Sequence, residues 1–500
     1  MDSPVEVPYQ SFIKIDRKSD TAIYMQVAHQ LINAIQRGSL PLGTKLPGTR
    51  ALSIILNVHR NTIVAVYDEL FAQGWVESLP NKGTFVIGNN EEKPLKIASF
   101  NKNKLQLYPQ STGFSFKTTN ILDNPFEHSD CKYIFNDGVP DIRLTQIDQQ
   151  SRIYSSIMKR KGQHKMLGHY NHDGSEFFKK NLANYLNLSR GLAISKNNLL
   201  ITRSTEMSIY IASEILLSEG DAVLVGDLSY FSVNMIFQKK GVKILSVPID
   251  EDGLSAEGVR EICKKQKIRM LYLTPHHHYP TTVTLSAQRR LELLGLAHEY
   301  GFIILEDDYD YDFHYDKSPI LPLASADTAG MVIYIGSFGK SLAPGFRTGF
   351  IVAPENLMTE MRKYLGIIDR QGDVLMEQVL GEMIAEGEIH RYLKKSLKVY
   401  QERRDRFTEL LNEYLGEYIR FRTPSGGLAV WVEWEVSLNL MQLSRLCSLD
   451  HLFLPKTILY QTRNLTAMRL GFGHLSFEEM ENSIRILAKN AKAMIHKTTD

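Results

Sequence analysis

Cysteine is scarce in this chain. Its 500 residues include three, Cys131, Cys263 and Cys447, set far apart. Three isolated thiols make neither a disulfide framework nor a zinc spacing, so a reducing compartment is expected. Long apolar runs are missing as well, and none approaches the roughly 20 residues that span a bilayer. The opening stretch MDSPVEVPYQSF lacks the basic-then-apolar order of a secretory signal. A cytoplasmic protein with no membrane partner is the expectation. An excess of one charge is also lacking: 58 Lys and Arg stand against 56 Asp and Glu, a formal net charge of +2. Global charge therefore decides nothing about nucleic acid, and only local clustering can. No internal repeat or strongly biased segment is present. A chain of this length with 43% hydrophobic residues is expected to fold as more than one globular domain.

Residues 1–88 carry a compact pattern. AIYMQVAHQLINAIQRG places Ile23, Val27, Leu31 and Ile35 at helical spacing and stops at Gly38. PGTRALSIILN predicts a second helix with Thr49 as its cap. HRNTIVAVYDELFAQG predicts a third, with Asn61 and Thr62 near its start and Gly74 at its end. WVESLPNKGTFVIG reads as two short strands joined at Asn81, Lys82 and Gly83. Three helices and a hairpin make a winged helix. From Arg37 to Val66 the chain holds Lys45, Arg50 and Arg60 and no acid, so this stretch presents one sign of charge.

Residues 89–131 are polar and weakly periodic, and read as a linker. From residue 132 onward helices alternate with apolar runs of strand length: DAVLVGD, VKILSVP, RMLYLTP, GFIILEDD, MVIYIGS and TGFIVAP. Such runs suit a sheet covered on both faces, hence a three-layer α/β domain. Its large part is expected at about 165–354. A smaller α+β subdomain, mostly helical with β segments GGLAVWVEWE and TAMRLGF, is expected from 355 to 500.

In open α/β sheets ligands sit beyond the carboxyl ends of the strands. At such ends lie Asp307, Tyr279 with three preceding histidines, Lys340 in SFGKSLAPGF, and Arg347. An amine, a carboxylate, a phenol and a guanidinium form the set that pyridoxal 5'-phosphate (PLP) requires. The lysine forms the Schiff base, the Asp faces the pyridine nitrogen, and a phenol bonds the ring oxygen. The phosphate needs an Arg and backbone N–H groups at a helix start, which Ser204 and Thr205 supply. Tyr230 is placed to stack on the ring. Ser337-Phe338-Gly339-Lys340 also fits S-x-x-K of penicillin-binding proteins, but the partner motifs S-D-N and K-T-G are absent. His276 and His278 share a face of an extended segment. Two ligands do not make a metal site, so no metal is expected.

Taken together, LPGTRALSIILNVHRNTIVAVYDELFAQGWVESLPNKGTFV, LTPHHHYP, EDDYDYDFHY, GSFGKSLAPGFRTGF and MRLGFG resemble the MocR/GabR-type group of GntR-family regulators. That group fuses an N-terminal winged helix-turn-helix to a fold-type-I aminotransferase-like domain, and the resemblance spans nearly the whole chain. It implies Lys340 as the Schiff-base lysine, Asp307 against the pyridine nitrogen and Tyr309 against the ring oxygen. Ser337 and Arg347, with Ser204 and Thr205, would hold the phosphate. Tyr170 resembles the tyrosine that reaches the neighbouring subunit's phosphate. Arg469 resembles the arginine that pairs with a substrate carboxylate. Arg50, Arg60, Asn61 and Thr62 fall where the second and recognition helices meet DNA, and Lys82 and Gly83 at the wing tip.

The chain departs from the group's pattern in three places. The phosphate turn, usually Gly-Ser/Thr-Gln, is Ser204-Thr205-Glu206, and a carboxylate there repels phosphate unless it is paired. Tyr279 stands where related aminotransferases carry Asn. YPTT replaces Tyr-Pro-x-Gly. The expected function is a dimeric, PLP-dependent regulator that binds a double-stranded operator and senses an amine, an amino acid or PLP. The alternative is a working aminotransferase that carries a winged helix.

Overall fold

A computed structural model describes residues 9–19, 21–79, 82–87, 109–123, 125–161, 168, 174–316, 319–436 and 438–499. The chain divides into two compact units, Met1–Ser115 and Phe116–Asp500.

In the first unit, helix α1 (Ile23–Gln36) buries Val27, Ala28, Leu31, Ile32, Ala34 and Ile35, the face its apolar spacing predicts. Helix α2 spans Thr49–Ile55 and helix α3 spans Arg60–Ala72. Strands β1 (Val76–Leu79) and β2 (Gly83–Val86) pair antiparallel, from Val76 opposite Val86 to Leu79 opposite Gly83. Leu31, Leu40, Leu52, Ile63, Val66 and Leu70 share one buried core with Val76 and Val86. Gly38 and Gly74 follow α1 and α3 with positive φ, 72° and 74°, where a side chain would be strained. The cap of α2 differs from expectation. Gly48 holds the N-cap position without a side-chain bond, and Thr49 is already helical. In α3 the cap is His59, whose Nδ1 accepts from the Asn61 N–H at 3.2 Å.

The second unit is built on a seven-stranded sheet. Its strands are β3 (Leu199–Thr202), β4 (Ala222–Gly226), β5 (Lys243–Val247), β6 (Met270–Leu273), β7 (Ile303–Asp308), β8 (Val332–Ser337) and β9 (Gly349–Val352). They lie in the order β3-β9-β8-β7-β6-β4-β5. Only β9 runs against its neighbours, β8 and β3. All six apolar runs expected as strands are in this sheet. Most of these strands are buried along their length because helices cover both faces. Parallel pairing sets Asp307 opposite Ile335 and Asp308 opposite Gly336. The carboxyl ends of β7 and β8 therefore open at one level.

The C-terminal part contains more sheet than expected. Strands β10 (Ile419–Phe421), β11 (Ala429–Trp434), β12 (Leu459–Gln461) and β13 (Thr466–Gly471) form a four-stranded sheet in the order β10-β11-β13-β12. Only β11 and β13 were legible. The other two are three residues long, partly exposed, and gain their order from pairing. The sheet packs with long helices Glu388–Leu415 and Phe477–Thr499 around a core of Phe407, Leu411, Val430, Met468, Ile484 and Leu487.

Candidate cofactor site and candidate nucleic-acid interface

A cavity of about 200 Å³ opens beyond β7 and β8 in the second unit. Ser204, Thr205, Tyr230, Tyr279, Asp307, Tyr309, Ser337, Lys340 and Arg347 all line it. Tyr170 lies outside the described residues.

Lys340 projects from a one-turn helix, Phe338–Ser341, that leaves the end of β8. Its Nζ lies 4.4 Å from the centre of the Tyr309 ring. Burial lowers the pKa of this amine, and the carboxylates of Asp137 and Asp310 oppose that shift. The Tyr309 hydroxyl donates to the His277 carbonyl.

Asp307 sits at the end of β7 with one oxygen satisfied: the Tyr272 hydroxyl donates to Oδ2 at 2.8 Å. Oδ1 is buried without a partner. Burial pushes this carboxyl up to about 7, the Tyr272 bond lowers it, and the charge of Glu206 raises it further.

The opposite pole suits an anion. Helix α4 (Thr205–Leu216) begins here, and Ser204 caps it, its Oγ accepting from the Met207 N–H at 3.2 Å. The Ser204 hydroxyl proton and the N–H groups of Thr205 and Glu206 remain available. The Ser337 side chain makes no cap bond. Arg347 holds a left-handed backbone, φ 49° and ψ 42°, an uncommon conformation for a non-glycine and a frequent mark of functional sites. Glu206, in the first turn of α4, accepts from the Tyr230 hydroxyl at 3.3 Å. The carboxylate of the phosphate turn is thus paired, though it still lines the cavity.

Arg469 lies on β13, 1% exposed, against Tyr309 and Tyr279 of the cavity wall but not itself among the residues that line the cavity. Its Nε donates to the Asp137 carbonyl at 2.8 Å, Nη1 to the Pro280 carbonyl at 2.8 Å, and Nη2 to the Tyr309 hydroxyl at 3.4 Å. A guanidinium carries five N–H groups, so two remain. No carboxylate pairs with this buried cation among the described residues.

The histidines of LTPHHHYP turn inward. His276 Nδ1 is 3.0 Å from Asp308 and His277 Nδ1 is 2.9 Å from Asp310. His278 bonds Thr281 at 2.9 Å, and burial lowers its pKa to about 3. Each ring has its own partner, which accounts for three consecutive histidines under the cavity. Sequence reasoning missed Tyr272 and Asp137. A phenol inside the apolar run RMLYLTP and an acid before Gly-x-Pro in NDGVPD were the available signals.

In the first unit Arg50, Arg60, Asn61 and Lys82 are exposed, and Thr62 is half-buried. Arg60 Nε reaches Thr49 Oγ1 at 3.5 Å, which joins the first turns of α2 and α3. Gly83 has φ 113°, and a Cβ there would lie 2.8 Å from Lys45 Cε. The turn end of β2 is therefore packed against the Lys45 stem. Lys45 Nζ lies 5.9 Å from the centre of the Phe85 ring.

Comparison with known proteins identifies both units. The family of bacterial regulatory proteins, gntR family, matches residues 23–86, and aminotransferase class I and II matches residues 145–487. An HTH-type transcriptional regulator of Bacillus subtilis, YisV, is 24% identical over 96% of this chain and 98% of its own length. The probable rhizopine catabolism regulatory protein MocR of Rhizobium meliloti is 26% identical over 83% of this chain and 82% of its own. The kynurenine aminotransferase of Pyrococcus horikoshii, solved in complex with PMP, has a TM-score of 0.67 at 25% identity, covering 73% of this chain and 91% of its own.

The chain belongs to the aminotransferase class I and II family and, with its gntR-family winged helix, to the MocR-type regulators.

Relatives that span both units are transcriptional regulators, so a MocR-type regulator is favoured over a working aminotransferase that carries a winged helix. The family fold implies PLP as cofactor. The cavity fits it chemically: an amine, a carboxylate with an orphaned oxygen and an anion pole lie in one space. Among the described residues, no helix is long and apolar enough to cross a membrane.

Proposed function

We propose that this MocR-type regulator holds PLP on Lys340, reads an amino acid through Arg469, and passes the result to an operator bound by its winged helix. One observation carries the reading: a pKa-lowered amine, a half-satisfied buried carboxylate and a helix start beside Arg347 share a cavity, in a chain that also has a winged helix.

When bound, PLP supplies an aldehyde that captures amines. The residues around it divide the remaining work. Lowering the Lys340 pKa raises the share of free amine, the form that can attack a carbonyl. Asp307 offers Oδ1 to the ring nitrogen, with Tyr272 fixing the carboxylate. Tyr309 and Tyr279 would face the ring oxygen, and Tyr230 walls the cavity. Arg347, Ser337, the Ser204 hydroxyl and the Thr205 and Glu206 amides would hold the phosphate. The two spare N–H groups of Arg469 receive the carboxylate of the effector. Arg50 and Lys82 bind the DNA backbone, while Arg60, Asn61 and Thr62 face base edges. A homodimer presents two such heads to two half-sites, and effector binding changes which arrangement is favoured.

Borohydride reduction of the PLP-loaded protein, followed by peptide mass mapping, tests the cofactor half. The expected result is one pyridoxyl adduct, on Lys340. An adduct on another lysine, or none, overturns the assignment.

A further inference from the structure

Asp137 is the acid of the cavity that lies next to Arg469. Its main-chain carbonyl accepts from Arg469 Nε at 2.8 Å, while its side chain lines the space shared with Lys340, Tyr230, Tyr279 and Tyr309. The carboxylate has no hydrogen bond or ion pair among the described residues. The other pocket-lining acids differ: Glu206 is bonded by Tyr230, and Asp307 by Tyr272. The Asp137 charge is felt widely: it opposes the lowering of the Lys340 pKa by burial and adds to the rise at Tyr279, Tyr309 and Arg469.

Neither nearby cation can serve it in the loaded protein. Lys340 is engaged with the cofactor, and the spare N–H groups of Arg469 are taken by the effector carboxylate. A half-buried carboxylate beside aromatic walls is then left uncompensated, which is costly. The walls themselves suit a cation. Tyr230 and Tyr279 meet edge to face at 5.0 Å, and Tyr279 already lies 4.8 Å beneath the Arg469 guanidinium.

We propose that Asp137 sets effector specificity by pairing with a second ammonium, so that the effector class is a diamino monocarboxylic acid. This rests on the amino-acid-sensing reading above. One carboxylate goes to Arg469, one amine to the cofactor, and the other amine to Asp137. Dicarboxylic amino acids are rejected by repulsion.

The test uses the full-length PLP-loaded protein. Ornithine, norvaline and glutamate are titrated against its visible absorbance, in wild type and in Asp137→Asn. Wild type should bind ornithine about tenfold or more tighter than norvaline, and glutamate weakest. Asp137→Asn should still load its cofactor, bind norvaline at least as tightly as wild type, and lose the preference for ornithine. Equal binding of ornithine and norvaline by wild type overturns the proposal, as does a preference that survives in Asp137→Asn. Either outcome leaves amino-acid sensing standing. If none of the three amino acids changes the spectrum, both this proposal and the sensing reading fall.

Discussion

The Tyr272 hydroxyl donates to Asp307 Oδ2 at 2.8 Å and leaves Oδ1 buried with nothing to bond. The phenol fixes the carboxylate of a residue that lines the cavity. Burial is the larger effect and raises the carboxyl to about 7 from 3.8. Between those values the unfolded chain has released a proton that the folded chain retains. Stability of the PLP-free protein therefore falls as pH rises through this window, and the loss is complete above about 7.

Asp307→Asn keeps an acceptor for Tyr272 and removes the ionisation. The PLP-free variant should be more stable than wild type at pH 8, by about 1–3 kcal/mol, with the gain vanishing near pH 4. Its affinity for PLP should fall. Denaturant melts at the two pH values and a PLP titration check this. A variant less stable than wild type at pH 8 would refute the charge argument.

Glu206 places a carboxylate in the first turn of α4, at the anion pole, restrained by the Tyr230 hydroxyl at 3.3 Å. Removing that charge should favour a bound phosphate. Glu206→Gln is expected to tighten PLP binding several-fold, by about 0.5–1 kcal/mol, and to lower the Asp307 pKa. Equilibrium dialysis against PLP measures the first effect. Unchanged or weaker binding would mean that Glu206 turns away once the site is filled.

Arg50 and Arg60 stand exposed at the starts of α2 and α3. Replacing either with Ala should weaken operator binding and leave PLP loading intact. For a phosphate contact, the slope of log affinity against log salt should fall by about one unit, similarly on all sequences. For a base contact, the loss should be about 1–3 kcal/mol and confined to the cognate site. DNA affinity unchanged in both variants would remove α2 and α3 from the interface.

Arg469→Gln removes a buried cation that has no carboxylate partner among the described residues. Loss of a charge-assisted pair should weaken amino-acid binding by about 2–5 kcal/mol, while the cofactor spectrum and effector-free DNA binding persist. Isothermal titration with the amino acid reads this directly. Retained affinity would assign Arg469 to its contacts with the Asp137 and Pro280 carbonyls and the Tyr309 hydroxyl alone.

Sequence carried the site where chemistry and strand pattern coincide. Lys340, Asp307 and Ser337 follow uninterrupted apolar runs, so their place at a sheet edge was legible. So were α1 and α3 of the winged helix, through their 3.6-residue spacing. What was not legible depended on tertiary contact. Strands β10 and β12 are too short to carry a pattern of their own. Thr49 looked like a cap, yet extended Gly48 already starts the helix. The pairing of Glu206 with Tyr230 joins residues 24 apart, and Tyr272 reaches Asp307 from the neighbouring strand. Asp137 approaches Arg469 across more than 300 residues of chain. No local spacing encodes such meetings.

The central claim is that cofactor chemistry at Lys340 governs DNA binding. The most direct measurement is the affinity of full-length protein for the intergenic DNA beside its own gene, with PLP bound, as an amino acid is added. The Lys340→Ala variant is measured alongside. Wild-type affinity should shift by about tenfold or more, in line with a coupling of 1–3 kcal/mol, and Lys340→Ala should bind DNA without any shift. An equal shift in Lys340→Ala would contradict the account, because the signal would then reach the winged helix without the lysine.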